Sequence, residues 1–181
     1  MSLELYFLRS SEQKIVTDLL YYSQHLDETD KNLEDIQALK IYYDFYGLTA
    51  KDLGVYALKD GAIAGAIWSR RLSEYHNSKA YILDDTPVLN LAIKPAFRGE
   101  GIATALINQY LSEASKLYKL LSISVPKENI SFLEKFGFEV VNGSEHISYA
   151  GDKESLIMRK ELQKQEEKES FTDFSSCKWL D

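Results

Sequence analysis

The chain has 181 residues, 45% of them hydrophobic and 27% charged, which is typical of one soluble globular domain with a sizeable core. Its formal net charge of −7 argues against a general binder of nucleic acid or of anionic membranes. The single cysteine, Cys177, excludes an internal disulfide framework and a metal site built from several cysteines. Since no apolar run approaches ~20 residues and the first ten residues do not resemble a signal peptide, we expect a cytoplasmic protein with no membrane partner.

The first part of the chain predicts a strand followed by two helices. Residues 3–8 have the apolar content of a strand, and Ser10 with Gln13 predicts a capping box at the start of the first helix. Apolar residues at helical spacing predict a second helix over residues 33–46. Gly47 is placed to end that helix, because glycine readily takes the left-handed conformation.

The next stretch predicts a hairpin and then a buried central strand. Residues 53–58 and 62–69 flank Asp60-Gly61, which is the strongest short hairpin signal in the chain. Residues 89–93 and their flanks are mostly apolar, as in a strand buried on both faces. Pro95 ends this strand, because proline has no N–H group for a sheet ladder.

A turn with two glycines, Arg98-Gly99-Glu100-Gly101-Ile102-Ala103, joins the central strand to a helical pattern over residues 102–118. Glycine allows the backbone to approach a ligand closely, because there is no Cβ to clash. The first N–H groups of a helix lack intrahelical partners, and the helix dipole adds roughly half a positive charge there. The turn therefore predicts an anion site, most naturally for phosphate.

The second half continues with a strand, a short helix and a final antiparallel pair of strands. Pro126 closes the strand, and Gly137 suits the left-handed position that ends the short helix. One strand–helix–strand unit combined with hairpins predicts a mixed α/β fold. The four predicted segments are residues 120–125, 127–136, 138–141 and 155–159.

Two kinds of phosphate-binding turn fit the glycine motif. GEGIAT is close to the Gly-x-Gly-x-x-Gly fingerprint of dinucleotide-binding folds, with Thr104 in place of the third glycine. That interpretation requires an acidic residue about 20 positions further on, whereas the next strand ends in Val125-Pro126. The alternative is the Arg/Gln-x-x-Gly-x-Gly/Ala pyrophosphate loop of GNAT-type N-acetyltransferases, which the segment from Arg98 to Ala103 resembles at every fixed position.

The resemblance to the GNAT family extends over residues 3–159. Phe132–Phe138, FLEKFGF, resembles the Leu-Tyr-Glu-Lys-x-Gly-Phe ending of the family's fourth helix, and the order of predicted elements is also similar. The spacing from Tyr81 through Asp85-Thr86-Pro87 resembles a little-characterised bacterial branch. The family implies a mixed, mostly antiparallel, splayed central sheet flanked by about four helices.

The resemblance also implies a domain division. Residues 1–159 would form a single GNAT-like domain, and residues 160–181 would form a charged tail with six acidic residues and four lysines. Phe171 and Trp179 are unusual in a disordered segment, so we expect the tail to pack on the domain or on a partner subunit. A homodimer is consistent with that expectation.

The cofactor implied by the resemblance is acetyl-CoA, as a co-substrate, with no metal ion. The central strand would contact the pantetheine arm through backbone groups, and N–H groups of the glycine-bearing turn would hold the pyrophosphate. Asn129 lies one turn beyond the position of the asparagine that usually opens the fourth helix. The residues expected to bind the cofactor are Leu91, Ala92, Ile93, Arg98, Gly99, Glu100, Gly101, Ile102, Ala103 and Asn129.

Two departures from the family affect catalysis. Leu133 stands where the family has the tyrosine that protonates the leaving thiolate, and a missing general acid typically lowers a rate by ~10²–10⁴. No general base is evident, and Asp85, before the central strand, is the candidate. His25, His76 and His146 have no ligand spacing, so we interpret them as surface or core residues.

The leading hypothesis is an N-acetyltransferase that transfers acetyl from acetyl-CoA to a primary amine by direct attack in a ternary complex. An acyl-CoA-binding sensor with little catalysis is the alternative. Residues 12–44 hold eight carboxylates and three lysines, a net charge of −5, among several aromatic residues. These tyrosines either fill the core or help to form a pocket for a small cationic acceptor, by charge complementarity and cation–π contact.

Overall fold

The computed structural model describes residues 2–49 and 52–163, so most of the predicted C-terminal tail lies outside the described residues. The strands are β1 (Leu3–Phe7), β2 (Leu53–Lys59), β3 (Ala62–Arg70), β4 (Val88–Ile93), β5 (Leu120–Pro126), β6 (Glu139–Val140), β7 (His146–Ile147) and β8 (Glu154–Glu161). The helices are α1 (Gln13–Ser23), α2 (Lys40–Tyr43), α3 (Ile102–Ala114) and α4 (Ile130–Glu134), with several short 3₁₀ turns between them.

The strands form one eight-stranded sheet in the order β1-β2-β3-β4-β5-β8-β6, with β7 paired to β8. All pairings are antiparallel except that of β4 with β5. The expected mixed, mostly antiparallel sheet with four helices is therefore confirmed. The β2–β3 hairpin turns at Asp60 (φ 49°) and Gly61 (φ 82°), the two left-handed positions that such a tight turn requires.

A hydrophobic cluster covers each face of the sheet. On one face α3 packs through residues such as Leu106 and Tyr110, both fully buried, and Leu133 of α4 joins the same cluster. On the other face α1 packs through residues such as Leu19 and Leu20 against Trp68 of β3. Because side chains alternate along a strand, residues 89, 91 and 93 of β4 belong to the α3 face, and residues 88 and 92 to the α1 face.

The single helix predicted over residues 33–46 is wrong. The structure has short 3₁₀ turns followed by α2, which is only four residues long. The Asp35 carboxylate accepts the N–H of Asn32 at 2.7 Å and closes the first turn. Ile36 then takes an extended conformation (φ −121°, ψ 87°), which interrupts any continuous ladder of helical hydrogen bonds.

The capping box predicted from Ser10 and Gln13 is also wrong. The Glu12 carboxylate accepts the N–H of Arg9 at 2.7 Å, and this contact closes a 3₁₀ turn just before α1. Gln13 donates its side-chain amide to the carbonyl of Tyr43 at 3.0 Å, so that it links α1 to α2. Gln13, which the sequence pattern predicted to cap α1, thus forms a tertiary hydrogen bond instead.

The aromatic residues within and just after the acidic residues 12–44 are divided between the core and the surface. Tyr42 and Tyr46 are buried, and the Tyr42 hydroxyl is hydrogen-bonded to Ser78 and Tyr149 at 2.6 and 2.7 Å. Burial raises the pKa of Tyr42 well above its usual range. The core interpretation is therefore confirmed for these two tyrosines, whereas Phe45 is exposed.

Candidate functional site

The parallel strands β4 and β5 separate along their length. Val88 and Ser122 are the register pair between them, supported by a hydrogen bond from the N–H of Ser122 to the carbonyl of Pro87 at 3.1 Å. Beyond that point the described strands diverge, and each keeps its other neighbour, β3 or β8. The divergence leaves backbone groups of β4 and β5 facing a gap.

Helix α3 begins at the wide end of this gap. Gly101 precedes it in the left-handed conformation (φ 78°), and Gly99 has a similar φ of 81°. A Cβ built on either glycine would meet no atom within 4 Å, so left-handed backbone, rather than crowding, favours glycine at both positions. The first N–H groups of α3 lack intrahelical partners and point out of the helix towards this end of the gap.

A cavity of about 540 Å³ fills the space between the strands and the start of α3. Its walls come from β4, β5, the glycine-bearing turn, the end of α1 and the segment around α4. This volume lies within the range of small-molecule and cofactor sites, roughly 300–1,000 Å³. Nine of the ten residues expected to bind the cofactor line the cavity: Leu91, Ala92, Ile93, Arg98, Gly99, Gly101, Ile102, Ala103 and Asn129.

Arg98 connects the glycine-bearing turn to the segment after α1. Its Nε donates to the carbonyl of Ile93 at 3.2 Å, and its Nη2 lies 3.5 Å from the Asp27 carboxylate. The side chain therefore holds the turn against the end of β4 while the guanidinium remains half-exposed beside the cavity. A positive charge at this place favours an anionic ligand.

Comparison with known proteins agrees with this geometry. A family model described as an acetyltransferase (GNAT) domain matches residues 51–140, which include the diverging strands, the glycine-bearing turn and α4. No curated protein sequence matches the chain significantly. The chain belongs to the GNAT acetyltransferase superfamily.

Solved GNAT structures share the whole fold at low sequence identity. The ribosomal-protein-S18-alanine N-acetyltransferase from Escherichia coli has a TM-score of 0.60 at 15% identity, covering 92% of this chain and 98% of that one. A phosphinothricin acetyltransferase from Sinorhizobium meliloti, in complex with acetyl-CoA, has a TM-score of 0.62 at 19% identity, with 90% of each chain covered. The PaiA N-acetyltransferase from Thermoplasma acidophilum, in complex with coenzyme A, has a TM-score of 0.57 at 19% identity, covering 90% of this chain and all of that one.

Two of the expected site residues of this GNAT protein lie outside the cavity lining. Glu100 is exposed between the two glycines. The side chain of Asp85, the candidate base, is 91% exposed and forms an ion pair with Arg71 on the surface. Leu133, at the position of the family tyrosine, lines the cavity and is buried, so an apolar side chain occupies that part of the wall.

The GNAT cavity also contains polar residues that no sequence motif indicated. Tyr22, Gln24, His25 and Glu28 come from the end of α1 and the turn after it, and Asn90 comes from β4. The Gln24 amide donates to the Asn90 carbonyl oxygen at 3.1 Å and so joins α1 to β4 at the cavity wall. These residues lie far apart in sequence, and only the packing of α1 on the sheet brings them together.

Lys153 holds two of the cavity carboxylates close together. Its ammonium lies 2.8 Å from Glu28 and 2.5 Å from Glu128, which belong to the segments after α1 and after β5. The hydrogen bond from Lys153 lowers the pKa of Glu28, and the bonds to Glu128 and Glu28 raise the pKa of Lys153. Burial, reinforced by Lys153, lowers the pKa of the neighbouring His25, so this imidazole is neutral at pH 7.

We expect Lys153→Met to lower the melting temperature by roughly 2–4 °C at pH 7, because a partly exposed bridge contributes up to about 1 kcal/mol. Since the pKa of Glu28 is lowered in the fold, its contribution is full above about pH 4.5 and is lost as the pH falls through the folded value. The difference between wild type and variant, measured by calorimetry, should therefore shrink below pH 4.5. Lys127→Met, which removes the exposed pair with Glu154, is the control with a smaller effect.

Ser124 of β5 lines the cavity and forms a hydrogen bond with a histidine. Its Oγ lies 2.6 Å from Nε2 of His146, and Nδ1 of the same ring lies 2.7 Å from the carbonyl oxygen of Ser144. Because a carbonyl can only accept, Nδ1 carries the proton of the neutral ring and Nε2 accepts from the Ser124 hydroxyl. The sequence interpretation of His146 as a surface or core residue missed this contact.

Two further findings concern metals and membranes. Within residues 2–49 and 52–163, no group of three or more His, Cys, Asp or Glu side chains is arranged to hold a metal ion. Over the same residues, none of the helices has the length and apolar content needed to cross a bilayer.

Proposed function

We propose that the protein binds acetyl-CoA between β4 and β5 and transfers the acetyl group to a primary amine. The observation that carries this proposal is the gap beyond the Val88–Ser122 pair, with the first turn of α3 at its wide end. Parallel strands normally pair along their length, so the unpaired backbone groups that line this gap are available to bind a ligand. Membership of the GNAT superfamily supports acyl transfer as the general chemistry.

The residues of the cavity fit coenzyme A. The glycine-bearing turn offers free N–H groups, a helix dipole and a nearby guanidinium to a pyrophosphate, with open space above Gly99 and Gly101. Leu91 and Ile93 of β4 and Ile123 of β5 provide an apolar wall for the pantetheine arm. Two neighbours of the same fold are complexes with acetyl-CoA or coenzyme A, which supports the same ligand here.

A small cationic amine is the acceptor that the charges of the cavity favour. Glu28 and Glu128 line the cavity and share one ammonium, that of Lys153, so the cluster has a net charge of −1 with His25 neutral. An ammonium-bearing acceptor is attracted to this cluster, and an anionic acceptor is repelled. Neighbours named for a protein alanine and for phosphinothricin show that the fold itself does not select the acceptor.

The alternative function is an acyl-CoA-binding sensor with little catalysis. Buried Leu133 favours it, because an apolar side chain stands where the family places a general acid. The exposed position of Asp85 also leaves the cavity without the base expected from the sequence.

The cytoplasmic location, the homodimer and the domain boundary at residue 159 stay predictions from the sequence.

The two functions are separated by one pair of measurements. We expect calorimetry to show binding of coenzyme A and no binding of NAD, because the strand after the glycine motif ends without a ribose-binding carboxylate. A panel of acceptors, followed by thiol release, should then show turnover on polyamines or other cationic amines and little on acidic ones. Intersecting initial-rate lines would indicate a ternary complex, and coenzyme A binding without turnover on any amine would favour the sensor.

A further inference from the structure

We propose that Ser124 and His146 form the proton relay of the acetyl transfer, with Ser124 as the catalytic residue and His146 acting through it. The inference rests on the proposed function. The observation behind it is the hydrogen-bonded chain from the cavity wall through Ser124 Oγ and the His146 ring to the carbonyl of Ser144.

Ser124 lies beside the place where the two central strands separate. Val88 of β4 pairs with Ser122 of β5, and two residues further along these strands come Asn90 and Ser124. Since side chains two residues apart point to the same face, Asn90 and Ser124 lie on one face of the sheet and on opposite sides of the gap. Both line the cavity, so the serine hydroxyl lies where a thioester between the strands would meet an acceptor from the α1 side.

The His146 ring is prepared to accept a proton at one nitrogen. Ser144 holds the ring in place, because its carbonyl accepts from Nδ1 while its own Oγ accepts the N–H of Ile157 at 3.0 Å. His146 lies in β7, which pairs with β8. The charged groups around these two strands are Glu145, the Lys127–Glu154 pair, and Lys79, whose ammonium donates to the carbonyl of Ile147. A fixed Nδ1–H tautomer leaves Nε2 as the acceptor that faces the serine.

The relay accounts for the proton transfers between the amine and the thiolate without another reactant. An acceptor amine that has lost its ammonium proton to solvent attacks the thioester carbonyl carbon through its nitrogen, the C–N bond forms and the C–S bond breaks. The amine proton passes to Ser124 Oγ as the serine proton passes to Nε2 of His146, and the imidazolium then returns one proton through Ser124 to the departing thiolate. The products are the amide and free coenzyme A, and the relay ends as it began. This chain supplies the proton transfers that Leu133 and Asp85 do not provide at the cavity.

The test uses a second serine–histidine pair as a matched control. Ser73 Oγ lies 2.9 Å from Nδ1 of His76 on an exposed turn, and neither residue lines the cavity. We expect Ser124→Ala and His146→Asn each to lower kcat roughly 100-fold or more, as for the loss of an acid–base group. Ser73→Ala and His76→Asn should keep wild-type rates, and Ser124→Thr should restore most of the activity because it keeps a hydroxyl.

Three readouts separate the relay from a structural role. The Kd for coenzyme A, measured by calorimetry, should stay within about twofold of wild type in every variant, since the relay holds no part of the cofactor. The shape of the pH profile of kcat/KM should differ between wild type and His146→Asn, because the variant lacks the proton acceptor of the relay. In the free protein, the ¹⁵N spectrum of the His146 ring should show the Nδ1–H tautomer and should change in Ser124→Ala.

The outcomes distinguish the relay from the proposed function. An active wild type with equally active Ser124→Ala overturns the relay alone, as does an acetyl adduct on Ser124 after incubation with acetyl-CoA. A His146 ring protonated at Nε2 overturns it as well. A wild type that acetylates no amine overturns the proposed transferase and the relay together.

Discussion

Replacing Arg70 with alanine should lower the free energy of unfolding by about 3–5 kcal/mol, which is the usual cost of removing one partner of a buried ion pair. The Arg70 and Asp52 side chains are only 11% and 3% exposed, and Nε of the arginine lies 3.1 Å from the carboxylate. Loss of the guanidinium leaves that carboxylate buried without its counter-charge. Urea unfolding of wild type and variant measures the difference.

Arg70 also holds the backbone of residues 41–45 in place through hydrogen bonds. Its guanidinium donates to the carbonyls of Ile41, Asp44 and Phe45, and it lies 5.8 Å from the centre of the Tyr46 ring. The substitution therefore removes the hydrogen bonds that hold α2 and the following turn against the end of β3. The resulting loss should be larger than that of a charge pair alone, because three carbonyl groups lose a donor as well.

Arg71 is the matched control, since it is the next residue and also pairs with an aspartate. Its partner, Asp85, is 91% exposed, so the pair remains in a high-dielectric environment. We expect Arg71→Ala to change the free energy of unfolding by about 0–1 kcal/mol. Equal decreases in the free energy of unfolding for the two variants would contradict the assignment of the Arg70–Asp52 pair as a stabilising buried ion pair.

The second large effect is on the affinity for coenzyme A. We expect Gly101→Val to weaken binding roughly 5- to 150-fold, because a left-handed non-glycine residue costs about 1–3 kcal/mol. In the free variant, we expect the peptide at the start of α3 to turn and so relieve this strain. Binding of coenzyme A must then restore the original conformation. Calorimetric titration of coenzyme A gives the change in Kd directly.

Gly61→Val is the control for backbone strain. Gly61 has a φ of 82° against 78° for Gly101, and a Cβ at either position would meet no atom within 4 Å. The valine therefore imposes a comparable local cost on the β2–β3 hairpin, at a position that does not line the cavity. A similar loss of affinity in both variants would show that strain alone, without the phosphate site, explains the effect.

Local patterns predicted those parts of the site that are contiguous in sequence. The glycine-bearing turn predicted a phosphate site because its chemistry depends on backbone N–H groups and on two left-handed positions, which a short sequence specifies by itself. Gly99 and Gly101 do take that conformation, and most of the expected cofactor residues line the cavity. Gly137 likewise has φ 83° after α4, as its position predicted.

Predictions failed where a side chain had a choice of partners. Gln13 was expected to cap α1, but a carbonyl of α2 accepts its amide. The helix expected over residues 33–46 is replaced by 3₁₀ turns, because periodicity does not register the Asn32–Asp35 contact or the extended Ile36. Helical periodicity reports which side chains are apolar, whereas hydrogen bonds to distant groups decide where a short helix begins and ends.

The sequence by itself determined most of the strands, the glycine-bearing turn and the absence of a tyrosine at Leu133, since each depends on neighbouring residues. Only the tertiary structure placed Ser124 beside His146, drew Glu28 and Glu128 around Lys153, and put Asp85 on the surface. The physical reason is sequence separation: Ser124 and His146 are 22 residues apart, the other groups lie on different elements, and sheet pairing together with the packing of α1 fixes their distances. The backbone site could therefore be predicted locally, and the side chains that move protons could not.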